Sequence, residues 1–249
     1  MKLAVRTYLP ETTATKDIVL IHGTGARAEM WRNQIPLLLE RGYRCIVPDL
    51  RGHGETAEPE ENADILAHLQ DIEDTLADFE LKGPTAFAGH SLGAIISLGL
   101  AERRPEIFEQ ILAISMPGRV PQITQSAFKF FMGWPYRTIK DNGFHKNLAW
   151  RERVLMETNE FTLAQIVSNF GAMDYVKNVP RVPCPVHFAV GRLDPVALYT
   201  HVEQIQKATP NSTLRIFEWA GHNCMDSQPQ AFNQWFLEKL EGARTSSRS

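Results

Sequence analysis

Short apolar runs alternate along the chain with longer segments whose apolar residues recur at helical spacing. Runs such as IVLIHG at 18–23 and ILAIS at 111–115 are almost entirely apolar, which is typical of strands covered on both faces in a parallel sheet. Strands and helices in this alternation predict a mostly parallel, doubly wound α/β sheet with helices on both faces. The predicted strand runs lie at 18–23, 43–50, 85–90, 110–116, 185–191 and 214–220.

One long stretch interrupts this alternation. Between about 118 and 183 no strand-like run appears, and the segment instead carries helical patterns and many aromatic residues. Unstructured loops of this length are uncommon in compact domains, so we predict a helical cap inserted over the sheet. Its inward aromatics would line a pocket, with Phe131 and Trp134 as candidate substrate-binding residues, and its outward aromatics would pack on each other. The predicted units are a core at 1–117 and 184–241, a cap at 118–183 and a disordered tail at 242–249.

The composition excludes several classes of protein. The chain is 43% hydrophobic and 22% charged, as in ordinary globular proteins. A net charge of −3 gives no indication of nucleic acid or an anionic membrane as partner. Three cysteines without C-x-x-C spacing argue against a disulfide framework and a metal site. Since no signal peptide or membrane span is recognisable, we expect a cytoplasmic protein that acts on a small molecule without a cofactor.

The strongest chemical signal is the sequence Gly89-His90-Ser91-Leu92-Gly93. It lies between the apolar run 85–90 and a helical pattern, which is the context that a G-x-S-x-G nucleophile elbow requires. Glycines at the two flanks relieve crowding on a tight turn, and the N-terminus of the helix favours developing negative charge. The pattern therefore predicts Ser91 as a nucleophile.

A serine hydroxyl needs a neighbouring base to take its proton, and the base needs a carboxylate to orient it. His222 follows the last strand run and Asp194 follows the run 185–191. Because the carboxyl ends of parallel strands share one edge of a sheet, both residues are predicted to meet Ser91 there. The alternatives that stay open are His22 and His53 for the base and Asp174 and Asp226 for the carboxylate.

An oxyanion requires two backbone N–H donors. The residue after the nucleophile, Leu92, supplies one of them. The glycine-flanked Thr24, in the loop after the run 18–23, is the candidate for the second.

These segments together resemble the α/β-hydrolase superfamily over nearly the whole chain. The resemblance implies a Ser-Asp-His triad and a helical cap. It also implies that the segment 49–54 is a structural turn, so Arg51 and His53 are not expected to be catalytic. One departure is the N-terminus, where only 2–9 looks strand-like before Ile18 and the family often has two strands. The matching segments are 22–25, 49–54, 89–93, 191–194 and 221–222.

The expected reaction is hydrolysis of a carboxylic ester of a small, largely apolar substrate through an acyl-enzyme. Serine at position 91 excludes the dehalogenases and epoxide hydrolases of this superfamily, which use an aspartate nucleophile. The alternatives are a C–C bond hydrolase, a lyase of the MenH type, a thioesterase, a perhydrolase, or a non-catalytic ligand receptor of the same fold. The lyase would need cationic groups in the pocket, for which the cap offers Arg119, Arg137, Arg151 and Arg153.

Overall fold

A seven-stranded sheet forms the centre of the protein. The structure is a computed structural model and describes residues 1–56, 63–172 and 174–246. The strands are β1 (Val5–Tyr8), β2 (Lys16–Ile21), β3 (Tyr43–Pro48), β4 (Thr85–His90), β5 (Phe108–Ile114), β6 (Val186–Gly191) and β7 (Ser212–Phe217). Their order in the sheet is β1-β3-β2-β4-β5-β6-β7, and β1 alone runs antiparallel to its neighbour among the described strands.

The central strands are buried on both faces, as their continuous apolar runs predict. Every residue of β4 is buried, as are five of the six residues of β2. Ile18 and Leu20 pack into the cluster on one face of the sheet, whereas Val19 and Ile21 pack into the cluster on the other. The doubly wound α/β fold is thus confirmed, with each strand within three residues of its predicted start.

Helices cover both faces of the sheet. The α-helices are α1 (Ile35–Leu39), α2 (Ile65–Leu76), α3 (Leu92–Arg103), α4 (Gln122–Phe131), α5 (Trp134–Asp141), α6 (Trp150–Glu157), α7 (Glu160–Asn169), α8 (Tyr199–Ala208), α9 (Cys224–Ser227) and α10 (Pro229–Ser246). Short 3-10 helices lie at Ala28–Trp31, Pro105–Ile107 and Phe144–Asn147. One face of the sheet packs against α2, α3 and α8, and the other against α1 and α10.

Helices α4 to α7 lie between β5 and β6, in the segment 118–183 where the sequence predicts an inserted cap. The Asn159 N–H, just before α7, donates to the Gly52 carbonyl at 3.0 Å, and Arg27 of the core pairs with Glu157 of α6 at 3.1 Å. These contacts fix α6 and α7 above the carboxyl edge of the sheet.

Helix α10 continues to Ser246 and so enters the segment 242–249, for which the sequence predicts disorder. The apolar stripe of this helix packs on the sheet through Phe232, Phe236 and Leu240, which explains a helix up to that point. The last part of the predicted tail, 247–249, lies outside the described residues.

Candidate active site

Ser91 stands on a strained turn between β4 and α3. Its φ of 53° and ψ of −113° lie outside the regions that residues with side chains normally adopt. The Ser91 N–H donates to the Ile114 carbonyl at 2.8 Å, and its carbonyl accepts from the Ala94 N–H at 3.0 Å. Strain of this kind persists where surrounding structure holds it, and it is concentrated at functional sites.

The two flanking glycines are sterically required. A Cβ on Gly89 would lie 2.2 Å from the Gly93 carbonyl oxygen, and a Cβ on Gly93 would lie 2.2 Å from the Ile21 carbonyl oxygen. Both obstacles are backbone atoms, which cannot rotate away as a side chain can. The G-x-S-x-G pattern is therefore a condition for packing α3 against β2 and β4 behind the serine.

Gly93→Ala is expected to destabilise the protein by about 3 kcal/mol, the upper part of the range for overpacked cores. For a chain of this length, that corresponds to a decrease in Tm of roughly 10 °C, measurable by scanning calorimetry. The control is Gly242→Ala in α10, where an added Cβ meets nothing within 4 Å and alanine favours the helix. Equal melting temperatures for the two variants would contradict the steric argument.

His222 and Asp194 are hydrogen bonded to each other at the same edge of the sheet. The Nδ1–H of His222 donates to Asp194 Oδ2 at 2.8 Å, which selects the tautomer of the neutral ring that has its lone pair on Nε2. The other carboxylate oxygen of Asp194 accepts from the Val196 and Ala197 N–H groups, each at 2.8 Å. The imidazole is thus held by a buried, fully bonded carboxylate.

His222 and Ser91 both line one cavity. Within the described residues, the hydrogen-bond criteria are met between His222 and Asp194 but not between His222 and Ser91. The two carboxylates considered as alternatives have other partners: Asp226 pairs with Arg151, and Asp174 pairs with a lysine and an arginine of the cap segment.

His22 and His53 have a different arrangement. The Nε2 of His22 accepts from the Leu50 N–H at 2.9 Å, and the Nε2 of His53 accepts from the Gly25 N–H at 3.0 Å. Their Nδ1 atoms donate to backbone carbonyls, so both nitrogens of each ring are occupied. Burial lowers the pKa of His22 to about 4 and that of His53 to about 3. These neutral rings tie the loop 22–25 to the turn 49–54.

The lowered pKa values of His22 and His53 predict loss of stability in acid. The folded state keeps both rings neutral, while the unfolded chain takes up protons below a pKa of 6.5. Stability is therefore full above that pH and falls as the pH is lowered toward the folded values, at about 1.4 kcal/mol per pH unit for each ring. Urea unfolding between about pH 7 and pH 5 measures this effect.

His53→Gln, whose amide cannot titrate, is expected to give a shallower pH dependence of the urea midpoint. A midpoint that does not change between the two pH values in the unmodified protein would contradict this account of the buried histidines.

The two residues that carry the candidate oxyanion donors lie at the cavity. Thr24 and Leu92 both line it, and within the described chain neither N–H donates a hydrogen bond to another segment. The Gly25 N–H bond to His53 fixes the loop that carries Thr24. Gly23 allows that loop to approach the elbow, since a Cβ there would lie 2.7 Å from His90 Nδ1.

His90 is a site residue that sequence reasoning missed. Its Nε2–H donates to the carbonyl of His222 at 2.9 Å, and the two rings meet edge to face at 4.9 Å. Burial holds the pKa of His90 well below 6.5, so the ring is neutral. It connects the elbow to the loop that carries His222. The sequence carries no signal for this role, because any residue type can stand at the second position of a G-x-S-x-G motif.

The cavity above Ser91 has a volume of about 250 Å³ and is mostly apolar. Two charged side chains, Arg151 and Glu152 at the start of α6, also line it. Among the described residues, no cluster of three or more His, Cys, Asp or Glu side chains could hold a metal ion. The apolar cap residues that line the cavity are Phe128, Phe131, Met132, Trp150, Leu155, Leu163, Ile166, Val167 and Phe170.

The structure brings Phe131 to the cavity, but the predicted placement of Trp134 there is wrong. Trp134 is 77% exposed and is not a lining residue. The inward position of α5 belongs to Tyr136, which is fully buried and meets the Phe131 ring edge to face at 6.0 Å. Trp134 precedes Tyr136 by two residues, which is a rotation of about 200° around the helix axis. Its side chain therefore points outward. Other outward aromatics, such as Phe130, are also exposed rather than packed on each other.

The lining residues of α7 were missed, although a signal for them exists. Leu163, Ile166, Val167 and Phe170 follow the i, i+3, i+4, i+7 pattern of one helix face. The pattern identifies the buried face of the helix, but only the tertiary structure shows that part of this face lines the cavity.

Comparison with known proteins places this architecture in a family. The model of the alpha/beta hydrolase family matches residues 18–235. Since this match spans most of the chain, the protein belongs to the alpha/beta hydrolase family, whose members are generally hydrolytic enzymes.

Individual relatives differ in the reactions for which they are named. The 2-hydroxy-6-oxo-6-(2'-aminophenyl)hexa-2,4-dienoic acid hydrolase of Metapseudomonas resinovorans is 25% identical, covering 92% of this chain and 85% of that protein. The esterase EaEST from Exiguobacterium antarcticum superposes with a TM-score of 0.83 at 18% identity, over 96% of this chain and 95% of the other. The enol-lactonase from Burkholderia xenovorans LB400 gives 0.81 at 20% identity, over 96% of each chain.

Proposed function

We propose that this protein hydrolyses carboxylic esters with a largely apolar acyl group, using Ser91 as nucleophile. One observation carries the proposal: Ser91, on its strained turn, shares an apolar cavity with His222, whose Nδ1 is held by Asp194. A nucleophile, a base and an orienting carboxylate in this relation are the parts that acyl transfer needs.

In the first half of the reaction, Ser91 Oγ attacks the ester carbonyl carbon and His222 Nε2 takes the serine proton. Asp194 stabilises the imidazolium that forms, while the Thr24 and Leu92 N–H groups donate to the carbonyl oxygen as it becomes an anion. When the tetrahedral intermediate collapses, His222 returns the proton to the leaving alkoxide oxygen. The alcohol departs, and the acyl group stays on Ser91 as an ester.

In the second half, water replaces the alcohol. His222 takes a proton from the water as its oxygen attacks the acyl carbon, and the same two N–H groups hold the second oxyanion. Collapse breaks the bond to Ser91 Oγ, which recovers its proton from His222. The acid leaves and the enzyme returns to its starting state without any cofactor.

The apolar lining of the cavity supports a binding site for the acyl group. Most of the apolar cap side chains that line the cavity come from α4 and α7, whereas α6 supplies the two charged ones, Arg151 and Glu152, beside its apolar Trp150 and Leu155. An apolar acyl chain is stabilised against the α4 and α7 wall by about 0.8 kcal/mol for each buried methylene.

A series of p-nitrophenyl esters with increasing acyl length tests this assignment. Phe131→Ala enlarges the cavity, so the acyl length that gives the highest kcat/KM is expected to increase. Each additional methylene that the cavity accommodates should raise kcat/KM roughly fourfold. The control is Phe130→Ala, which changes the adjacent aromatic residue that is 75% exposed. Identical chain-length profiles for the two variants would exclude an acyl site at Phe131.

A second candidate is a C–C bond hydrolase with an acidic substrate. It is favoured by the similarity to the Metapseudomonas resinovorans hydrolase, whose name specifies a dienoic acid. The Arg151 side chain supplies a cation in the cavity for a carboxylate, although Glu152 beside it offsets that charge. No turnover of any p-nitrophenyl ester, with Ser91 still labelled by a fluorophosphonate, would favour this reaction over ester hydrolysis.

A further inference from the structure

The outer side of the cap exposes large apolar side chains on three neighbouring elements, since α4 packs against α5 and α5 against the 3-10 helix Phe144–Asn147. Ile123 and Phe130, seven residues apart on α4, share a helix face and are 81% and 75% exposed. Trp134 begins α5 and is 77% exposed, and Phe144, which follows α5, is 60% exposed. Scattered exposed apolar residues are normal on a protein surface, but a cluster indicates an interaction site.

The same segment is positively charged, although the whole chain has a net charge of −3. Residues 122–148 contain four Lys or Arg residues and one carboxylate, Asp141, for a net charge of +3. Lys129 and Lys146 are exposed and have no carboxylate within ion-pair distance among the described residues. Arg137 is 3.4 Å from Glu160, and the Lys140 ammonium lies over the Tyr136 ring.

We propose that this outer cap surface, formed by Ile123, Lys129, Phe130, Trp134, Arg137, Phe144 and Lys146, docks on an anionic lipid membrane. Exposed Trp and Phe side chains enter the headgroup region, while Lys and Arg side chains meet lipid phosphate and carboxylate groups. The sequence predicts no membrane partner because the net charge of the whole chain is negative. That net charge hides the local excess of cations in the cap.

A second copy of this chain fits the surface less well. A two-fold dimer places the same patch of both copies face to face, so two surfaces of net positive charge would repel each other. An anionic bilayer offers the opposite charge over the whole patch. The docking is peripheral, and no helix in the described ranges is long and apolar enough to cross a bilayer.

Docking in this orientation also places the active-site cavity next to the membrane. Helix α4 carries Ile123 and Phe130 on its outer face and Phe128 and Phe131 on the cavity wall. One helix therefore separates the proposed lipid contact from the space above Ser91.

The test is sedimentation of the full chain with phosphatidylcholine vesicles, with and without about one third phosphatidylserine. We expect at least about tenfold stronger binding to the anionic vesicles, and loss of that binding near 0.5 M NaCl because salt screens the cations. The double variants Phe130→Ser/Trp134→Ser and Lys129→Glu/Lys146→Glu are each expected to lower binding about tenfold. Trp219→Ser is the matched control. Trp219 is 83% exposed, but it follows β7 of the sheet and does not belong to the cap.

Three outcomes would overturn the proposal. They are equal or absent sedimentation with the two vesicle types, unchanged binding of both double variants, and a dimer in gel filtration that Trp134→Ser dissociates. The last outcome would assign the surface to a second copy of the chain. Each variant is first checked for an unchanged Tm, which all of these exposed positions should give.

Discussion

Ser91→Ala is expected to lower kcat/KM for p-nitrophenyl esters by about 10⁴-fold or more and to abolish labelling by a fluorophosphonate probe. Both effects have the same cause. Without the hydroxyl oxygen no covalent bond to the acyl carbon or to the probe phosphorus can form, and the oxyanion donors and the base then have no nucleophile to assist. Mass spectrometry of the labelled peptide identifies the modified residue, and initial rates measure the loss of turnover.

The control for this experiment is Ser97→Ala in the same helix. Ser97 is fully buried, and its hydroxyl donates to the Gly93 carbonyl at 2.8 Å rather than facing the cavity. This variant is expected to label and to turn over substrate like the unmodified protein. If Ser91→Ala were labelled as strongly as Ser97→Ala, the nucleophile would be another residue; if neither the unmodified protein nor any variant were labelled, the hydrolase proposal would fail.

The fold could be predicted from the sequence because burial on both faces leaves a local signal. IVLI in β2 and TAFAGH in β4 are apolar enough to be recognised without their partners. Strand ends were less predictable: β7 begins at Ser212 with alternating half-buried and exposed residues, as an edge strand does, and its start is two residues before the continuous apolar run.

The relative positions of Ser91, Asp194 and His222 were predictable for a topological reason. Each follows a strand, and the strands β4, β6 and β7 are parallel, so their carboxyl ends share one edge. The same rule also selected His22 and His53 as candidate bases, because it predicts where a residue lies but not how its side chain is oriented. The structure distinguishes these two histidines from His222 by the hydrogen bonds that occupy both nitrogens of each ring.

The cap was the least predictable part, because it belongs to no regular sheet that would fix the direction of its helices. Phe131 and Trp134 are three residues apart and both aromatic, and yet one lines the cavity and the other is exposed to solvent. The helix boundary between α4 and α5 at 132–133 determines this difference, and a helical pattern that runs across the boundary conceals it.

Asp194→Asn is expected to lower kcat for esters by about 10⁴-fold with little change in fold. The hydrogen bonds at Asp194 give the reason. Its Oδ1 accepts from two backbone N–H groups, so the asparagine carbonyl oxygen keeps that position and the amide NH₂ replaces Oδ2. The NH₂ group would then donate to Nδ1 of His222, moving the ring proton to Nε2.

In the proposed reaction the lone pair on Nε2 takes the serine proton, so a proton on Nε2 would prevent the imidazole from acting as the base. The matched control is Asp226→Asn, since Asp226 is the other carboxylate near this loop and pairs with Arg151 rather than with His222. We expect that control to change kcat by less than about tenfold. Burst kinetics with a p-nitrophenyl ester measure acylation in both variants. A larger loss in Asp226→Asn than in Asp194→Asn would transfer the orienting role to Asp226, whereas equal, small losses would mean that His222 needs no carboxylate to hold its tautomer.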